Sequence, residues 1–432
     1  MWSPRLGFRW YLDSERKTLL RGGLGMFTGR VPFVWLTNLW NNTGVEMKGT
    51  TISKDVPSFA QYGTDPVAAM NSAAGSASKP TINTADKNFK YPQVFRTSLA
   101  LEQRLPYNLK VTAEGLYSKT LNNVFFRNLA LTESGQVYAV EGLAESAAPY
   151  YTINSGDYYS IINLENTNKG YTYSVSAKIE QSLRFGLDWM ASYTFGHSKS
   201  VNDGTSSVAY SNWKYNYSID TNSPDELSYS LFDIPHKVMA TISYTTPKYA
   251  NGLLSTTIAV TYNGFSGQRY CLSMNEAVDY NGDGQKGNSL LYIPTEDELS
   301  KMNFVSEEDR QKFAAWIADD DYASEHRGEY ACRYSNLAPF ENHFDLHFAE
   351  NIFYLKERGS KVQLTFDITN FGNLLNKDWG TYYSSAYNLQ VLKVTEVDKD
   401  SRVAKFSFND GKLAINDFYS RWHAQIGIKV VF

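Results

Sequence analysis

Three groups of residues in this chain have types and spacings that could do chemistry. The first is Asp279-x-Asn281-x-Asp283-Gly284-Gln285, with oxygen-bearing side chains at alternate positions and a glycine at the sixth. This is the first half of a calcium loop, where alternate side chains converge on a hard cation and the glycine permits a sharp turn. Helix–loop–helix calcium sites take a bidentate Glu at the twelfth position, and Leu290 stands there. A further ligand must come from elsewhere, and the acidic stretch 296–329 is the expected source. The alternative is an Asn-Gly/Asp-Gly turn at a loop tip, with no ion.

The second group is Cys271 and Cys332, the only two cysteines. They bracket most of the segment 265–342. In an oxidising compartment a disulfide would clamp the base of that segment. The alternative is two unpaired thiols, because spacing does not fix disulfide geometry. The third group is His343-x-Asp345-x-His347. Alternate strand residues lie nearly 7 Å apart, too far for all three to meet one zinc at about 2 Å. They are expected to be polar residues lining a lumen. Gly-x-Ser-x-Gly is missing, as are His-Glu-x-x-His and a phosphate-binding glycine loop. The six histidines are scattered. The chain is read as no enzyme, requiring no cofactor, with calcium the one candidate.

The elements that position these residues follow a single pattern: a run of about ten residues alternating with period two, a tight turn, a second run, then a long irregular segment. The last run is the clearest. Trp422, Ala424, Ile426, Ile428, Val430 and Phe432 are apolar, and His423, Gln425 and Lys429 lie between them. Successive strand side chains point to opposite faces, so one face is apolar and the other wet. A slip of one residue would carry Lys429 into lipid at about 2–4 kcal/mol near the midplane. Ten more runs read alike: 5–11, 18–28, 95–103, 109–119, 171–181, 187–196, 237–244, 253–264, 344–354 and 361–370. Glu350 breaks the apolar pattern of its run and is expected to reach the membrane interface.

The segments 29–92, 120–169, 197–235, 265–342 and 371–418 separate the hairpins. Short turns alternating with long loops mark a transmembrane β-barrel, turns in the periplasm and loops outside. A soluble sandwich has no reason for that asymmetry. Composition agrees: aromatic residues are 15 % of the chain, yet no stretch approaches the roughly 18 apolar residues of a spanning helix. A net charge of −4 excludes a broad basic surface for nucleic acid.

With turns in the periplasm, the final strand runs inward, and so does the first. Eleven strands cannot close a single-chain bacterial barrel, which takes an even number. The expected fold is therefore all-β: a partial transmembrane antiparallel barrel, residues 1–432 supplying about eleven strands of a 22-strand wall. The start Met1-Trp2-Ser3-Pro4-Arg5 has no export signal pattern, which fits an internal position in a longer protein.

Within 265–342, Thr295-Glu296-Asp297-Glu298 and Ser306-Glu307-Glu308-Asp309 have the form of helix N-termini. Phe313, Trp316 and Ile317 follow on one face. A small helical insertion in this outer loop is expected, with Asp319, Asp320 and Asp321 on a solvated face. The loop aromatics Trp35, Trp40, Tyr150, Tyr151, Trp213, Tyr215 and Tyr217 could stack on sugars or peptides, or pack loop on loop.

Several stretches resemble the Oar-like TonB-dependent transporters. They are Pro4-Arg5-Leu6-Gly7-Phe8-Arg9-Trp10, Leu20 through Pro32, Asp279 through Gly284 with Tyr292-Ile293-Pro294, His326 through Tyr330, and Ala338-Pro339-Phe340 leading into Phe344-Asp345-Leu346. The aromatic-ended last strand resembles a barrel-insertion signal. The resemblance implies a 22-strand barrel of the outer membrane preceded by a plug and an N-terminal domain. It implies import of a large ligand such as an oligosaccharide, peptide or chelate. The implied partners are outer-membrane lipids and the TonB complex, contacted through the N-terminal part, with a lid lipoprotein on the loops a further candidate. Neither plug nor TonB-contact segment is found in this sequence. The alternative function is a structural or adhesin-type barrel binding a partner through its loops.

Overall fold

The computed structural model describes residues 2–41, 65, 79–154, 156–355, 360–384 and 387–431. The expected turn Lys356-Glu357-Arg358-Gly359, the terminal Phe432 and most of 42–78 lie outside them.

Eleven antiparallel strands form one continuous path in chain order. They are β1 (Arg5–Tyr11), β2 (Thr18–Thr28), β3 (Gln93–Arg104), β4 (Leu109–Asn128), β5 (Tyr171–Ser182), β6 (Leu187–Ser200), β7 (His236–Thr245), β8 (Leu254–Phe265), β9 (Glu341–Leu355), β10 (Ser360–Thr369) and β11 (His423–Val431). Each strand pairs with its sequence neighbour on this path, and the path does not close on itself: β1 and β11 are its two ends. Among the described residues no helix is long and apolar enough to cross a membrane.

The ladders set the two faces. In the β10–β11 pair, Leu364 opposes Ile428 and Phe366 opposes Ile426, while Asp367 opposes Gln425 and Gln363 opposes Lys429. The apolar face continues through Phe348 and Ile258, opposed across β8 and β9, and through Trp189 and Ile242, opposed across β6 and β7. Apart from Trp189, which is half-buried, these large apolar residues are exposed on the isolated chain, Ile426 to 78 %. Water-exposed apolar surface of that extent marks a face that meets another apolar phase, here lipid.

Turn chemistry fixes the short-turn ends of the strands. Asp13 accepts the backbone N–H of Lys17 at 2.9 Å and of Thr18 at 2.5 Å, with Arg16 in the left-handed region. Gly186, between β5 and β6, has φ +96°, and a Cβ there would stand 2.1 Å from the Thr245 carbonyl oxygen; only glycine meets both demands. Glu350 sits on the apolar face near this end. Tyr249 and Thr256 donate their hydroxyls to its carboxylate at 2.9 and 2.6 Å.

At the other end the strands run past the sequence expectation. β4 continues to Asn128, where it pairs with Ser160–Thr167. At about 3.3 Å per residue its 20 residues exceed a hydrocarbon core of about 30 Å, so its upper part stands outside. There the long loops share cores. In the largest, Val137, Leu272, Leu291, Phe313, Ile317, Val391 and Phe406 are all buried together. The segment 265–342 carries helices α1 (Glu296–Lys301), α2 (Glu307–Asp319) and α3 (Asp321–Glu325). Thr295 caps the first with a full capping box, and Ser306 caps the second. This segment is not a free-standing insertion. Its strand Arg269–Glu276 lies in one sheet with Asn388–Val397 and Ala404–Phe408 from the loop before β11, and the two loops share one buried apolar cluster.

Candidate functional site

The polar face of the sheet carries a chain of alternating charge across four strands. Arg21 on β2 reaches Glu102 on β3 at 2.7 Å and Glu114 on β4 at 3.0 Å. Lys110 on β4 bridges Glu102 at 3.3 Å and Glu180 on β5 at 3.2 Å. Lys178 closes the series on Glu180 at 2.7 Å. Strand alternation puts these residues on the face opposite Leu101, Val111 and Ile179. They are partly exposed, so each pair adds little stability; what they make is a wet, charge-balanced wall. Sequence reading missed this ladder. Its signal was present, since Glu102 and Lys110 flank the same tight turn on one face.

Further along, His343, Asp345 and His347 share that face but not a ligand. His343 Nε2 lies 3.1 Å from Glu341, His347 Nδ1 lies 2.5 Å from Asp367, and Asp345 accepts the Asn370 backbone N–H at 2.8 Å. Among the described residues, no three His, Cys, Asp or Glu side chains converge as a metal set.

The turn from Asp279 to Gln285 lies inside the outer loops, not at their tip. Asp279 accepts the N–H of Gly282 at 2.8 Å and of Gly284 at 2.7 Å. Asp283 is 1 % exposed. Its carboxylate accepts the Gln285 N–H at 2.7 Å, Asn288 Nδ2 at 3.0 Å and Asn281 Nδ2 at 3.4 Å. Burial pushes the Asp279 carboxyl up to about 6, reinforced by the Asp283 charge, and burial raises Asp283 as well. The sequence looked to 296–329 for an extra oxygen. That stretch folds into the helices, and the side chains that reach Asp283 from outside the turn are instead Thr221 and Asn288, the latter through its Nδ2.

The expected bridge between Cys271 and Cys332 does not form; both thiols are free. Cys271 is fully buried with Leu290 and Tyr334, and its Sγ accepts the Tyr334 backbone N–H at 3.2 Å. Cys332 is exposed to solvent, its carbonyl accepting the Ser335 backbone N–H.

Most loop aromatics pack loop on loop. Trp35 meets Phe126 edge-on at 5.2 Å and donates Nε1–H to the Ser206 carbonyl at 2.8 Å. Trp213 is buried, donating to Asn222 at 3.2 Å, and Tyr151 donates its hydroxyl to Asp220. Tyr217 packs on Tyr334, and Arg402 covers the Tyr150 ring at 4.3 Å. Trp40 and Tyr215 stay open to solvent.

A sheet that is apolar on one face, charged on the other and capped by packed loops at one end defines the wall of a membrane β-barrel. The chain belongs to the outer membrane β-barrel domain family, whose model matches residues 1–382, and it is an outer-membrane protein. No curated protein matches it. Among solved structures it is similar to the outer membrane transporter YddB from Escherichia coli, with 11 % identity and a TM-score of 0.46. That alignment covers 99 % of this chain and 40 % of YddB. The ferric enterobactin receptor PfeA from Pseudomonas aeruginosa aligns over 86 % of this chain and 35 % of its own length, with 11 % identity and a TM-score of 0.40. The chain thus spans about two fifths or less of these proteins.

Proposed function

We propose that the chain is the C-terminal half of the barrel wall of a TonB-dependent transporter of the Oar-like type, importing a large ligand such as an oligosaccharide, peptide or chelate. The charge ladder from Glu114 through Arg21, Glu102, Lys110 and Glu180 to Lys178 carries this reading. A wall with balanced, half-exposed charge suits a polar plug and a hydrated cargo, as the polar interior of a wide membrane barrel does. Further strands would pair with β1 and β11, because an open backbone edge in lipid is severely penalised. The plug and the segment contacting the TonB complex would belong to the same longer protein, and a lid lipoprotein would sit on the outer loops.

A second reading, an adhesin-type barrel, is favoured by the shared cores that seal the outer loops. Uptake in the native organism separates the two. Deleting the region that encodes this chain should abolish uptake of one labelled class among oligosaccharides, peptides and chelates. In the intact strain, a proton-motive-force uncoupler should stop that uptake while surface binding remains. Binding with no energy-dependent uptake of any class would favour the adhesin.

A further inference from the structure

We propose that the turn Asp279–Gln285 holds one calcium ion, with Asp283 as its charged anchor and with Thr221 Oγ1 and Asn288 Oδ1 completing the oxygen set. The proposal stands apart from the transport reading and concerns the outer loops alone.

A plain Asp-Gly turn at a loop tip leaves its carboxylates in water. Here Asn281, Asp283, Gln285 and Asn288 are all buried. The groups that meet Asp283 are amides and a hydroxyl, with no cation among them. The nearby Lys286 turns away, its Nζ donating to the Ala277 carbonyl at 2.5 Å. Burying a carboxylate without a countercharge is costly, and Asp279 adds a second one beside it.

One further buried oxygen points to an occupant, and a neighbouring amide can turn to supply another. Thr221 Oγ1 stands beside Asp283, and Thr221 is 3 % exposed, yet this hydroxyl has no hydrogen bond of normal geometry. Asn288, 4 % exposed, donates Nδ2 to Asp283 and leaves Oδ1 without a partner. Native proteins rarely leave such atoms unsatisfied; an ion or ordered water normally takes the place. Turning the Asn288 amide over exchanges Nδ2 and Oδ1, which would face its oxygen to the same point as the Asp283 carboxylate. Carboxylate, amide and hydroxyl oxygens in an irregular cage suit calcium, whereas magnesium demands a near-ideal octahedron. Leu290 at the twelfth position would then be no obstacle, since Thr221 and Asn288 supply what a Glu supplies elsewhere. The ion would tie three outer segments together, because Tyr151 already donates its N–H to the Asn281 carbonyl at 2.7 Å and Thr221 lies on the loop between β6 and β7.

The test is equilibrium dialysis of the purified whole protein, stripped with chelator, against radioactive calcium, followed by limited proteolysis. The expected result is saturable binding at this turn, with a Kd on the order of 10⁻⁴–10⁻³ M as in extracellular modules. Cleavage between 276 and 290 should slow when calcium is added, and magnesium should not compete. Thr221→Val and Asn288→Ala should each weaken binding by about tenfold, and Asp283→Asn should remove it. The wild-type measurement stands even where a variant fails to fold. No saturable binding at about 10 mM calcium, or binding that these variants leave unchanged, would overturn the proposal in favour of water in the turn.

Discussion

Arg269 and Asp233 form a buried ion pair, with Arg269 Nη2 and Nε at 2.6 and 2.7 Å from one Asp233 oxygen. Both side chains are almost wholly shielded from solvent. The guanidinium also donates to the Tyr334 and Ser335 carbonyls at 2.7 and 3.0 Å and lies over the Tyr229 ring at 3.8 Å. Asp233 accepts in turn from the Ser198 backbone and faces His197 at 3.2 Å. The pair therefore locks the loop before β7 to the loop after β8.

Arg269→Met should leave the Asp233 carboxylate buried without its countercharge, at about 3–5 kcal/mol. Proteolysis of 197–235 and 265–342 should accelerate while the membrane-embedded strands stay protected. The double replacement Arg269→Met with Asp233→Asn should recover much of the loss. A single Arg269→Met variant with unchanged loop proteolysis would show that the pair holds nothing.

Two outer carboxyls give the loops a pH dependence. Burial pushes Glu226 and Glu276 up to about 7 each. Between the unfolded carboxyl value and 7 the folded loops keep these protons and the unfolded chain does not. Stability is therefore full below about pH 4.3 and falls as pH rises through 7, then levels off. In chelator, the loop transition should be higher at pH 5 than at pH 8. Glu276→Gln should shrink that difference, leaving the share of Glu226, and a transition that rises with pH would contradict the assignment.

The thiols should differ sharply in reactivity. Burial pushes the Cys271 thiol far above its ordinary value, while Cys332 is exposed. A maleimide should add once under native conditions, at Cys332, and twice after denaturation. A protein that takes up no label until reduced would restore the disulfide.

The wall was legible in the sequence because strand alternation and turn residues are local. Trp422 through Val430 alternate in a stretch short enough to read by eye, and every second connection is long. The register of β10 and β11 follows directly from that alternation. The outer loops were much less legible. Arg269 and Asp233 are 36 residues apart, and Thr221 reaches Asp283 from another loop; no period links them. The cysteines were no more legible: compartment and spacing say nothing of the burial of Cys271 against the exposure of Cys332.

The most direct test of the outer-membrane wall is a pair of lysine replacements on adjacent residues of β11. Ile426 is 78 % exposed on the isolated chain, so replacing it loses almost no packing within the protein. Lipid on that face predicts that Ile426→Lys costs about 2–4 kcal/mol in unfolding from lipid vesicles, while Gln425→Lys, on the lumen face, costs far less. Equal costs for the two, or a larger cost at Gln425, would contradict the assignment of the two faces.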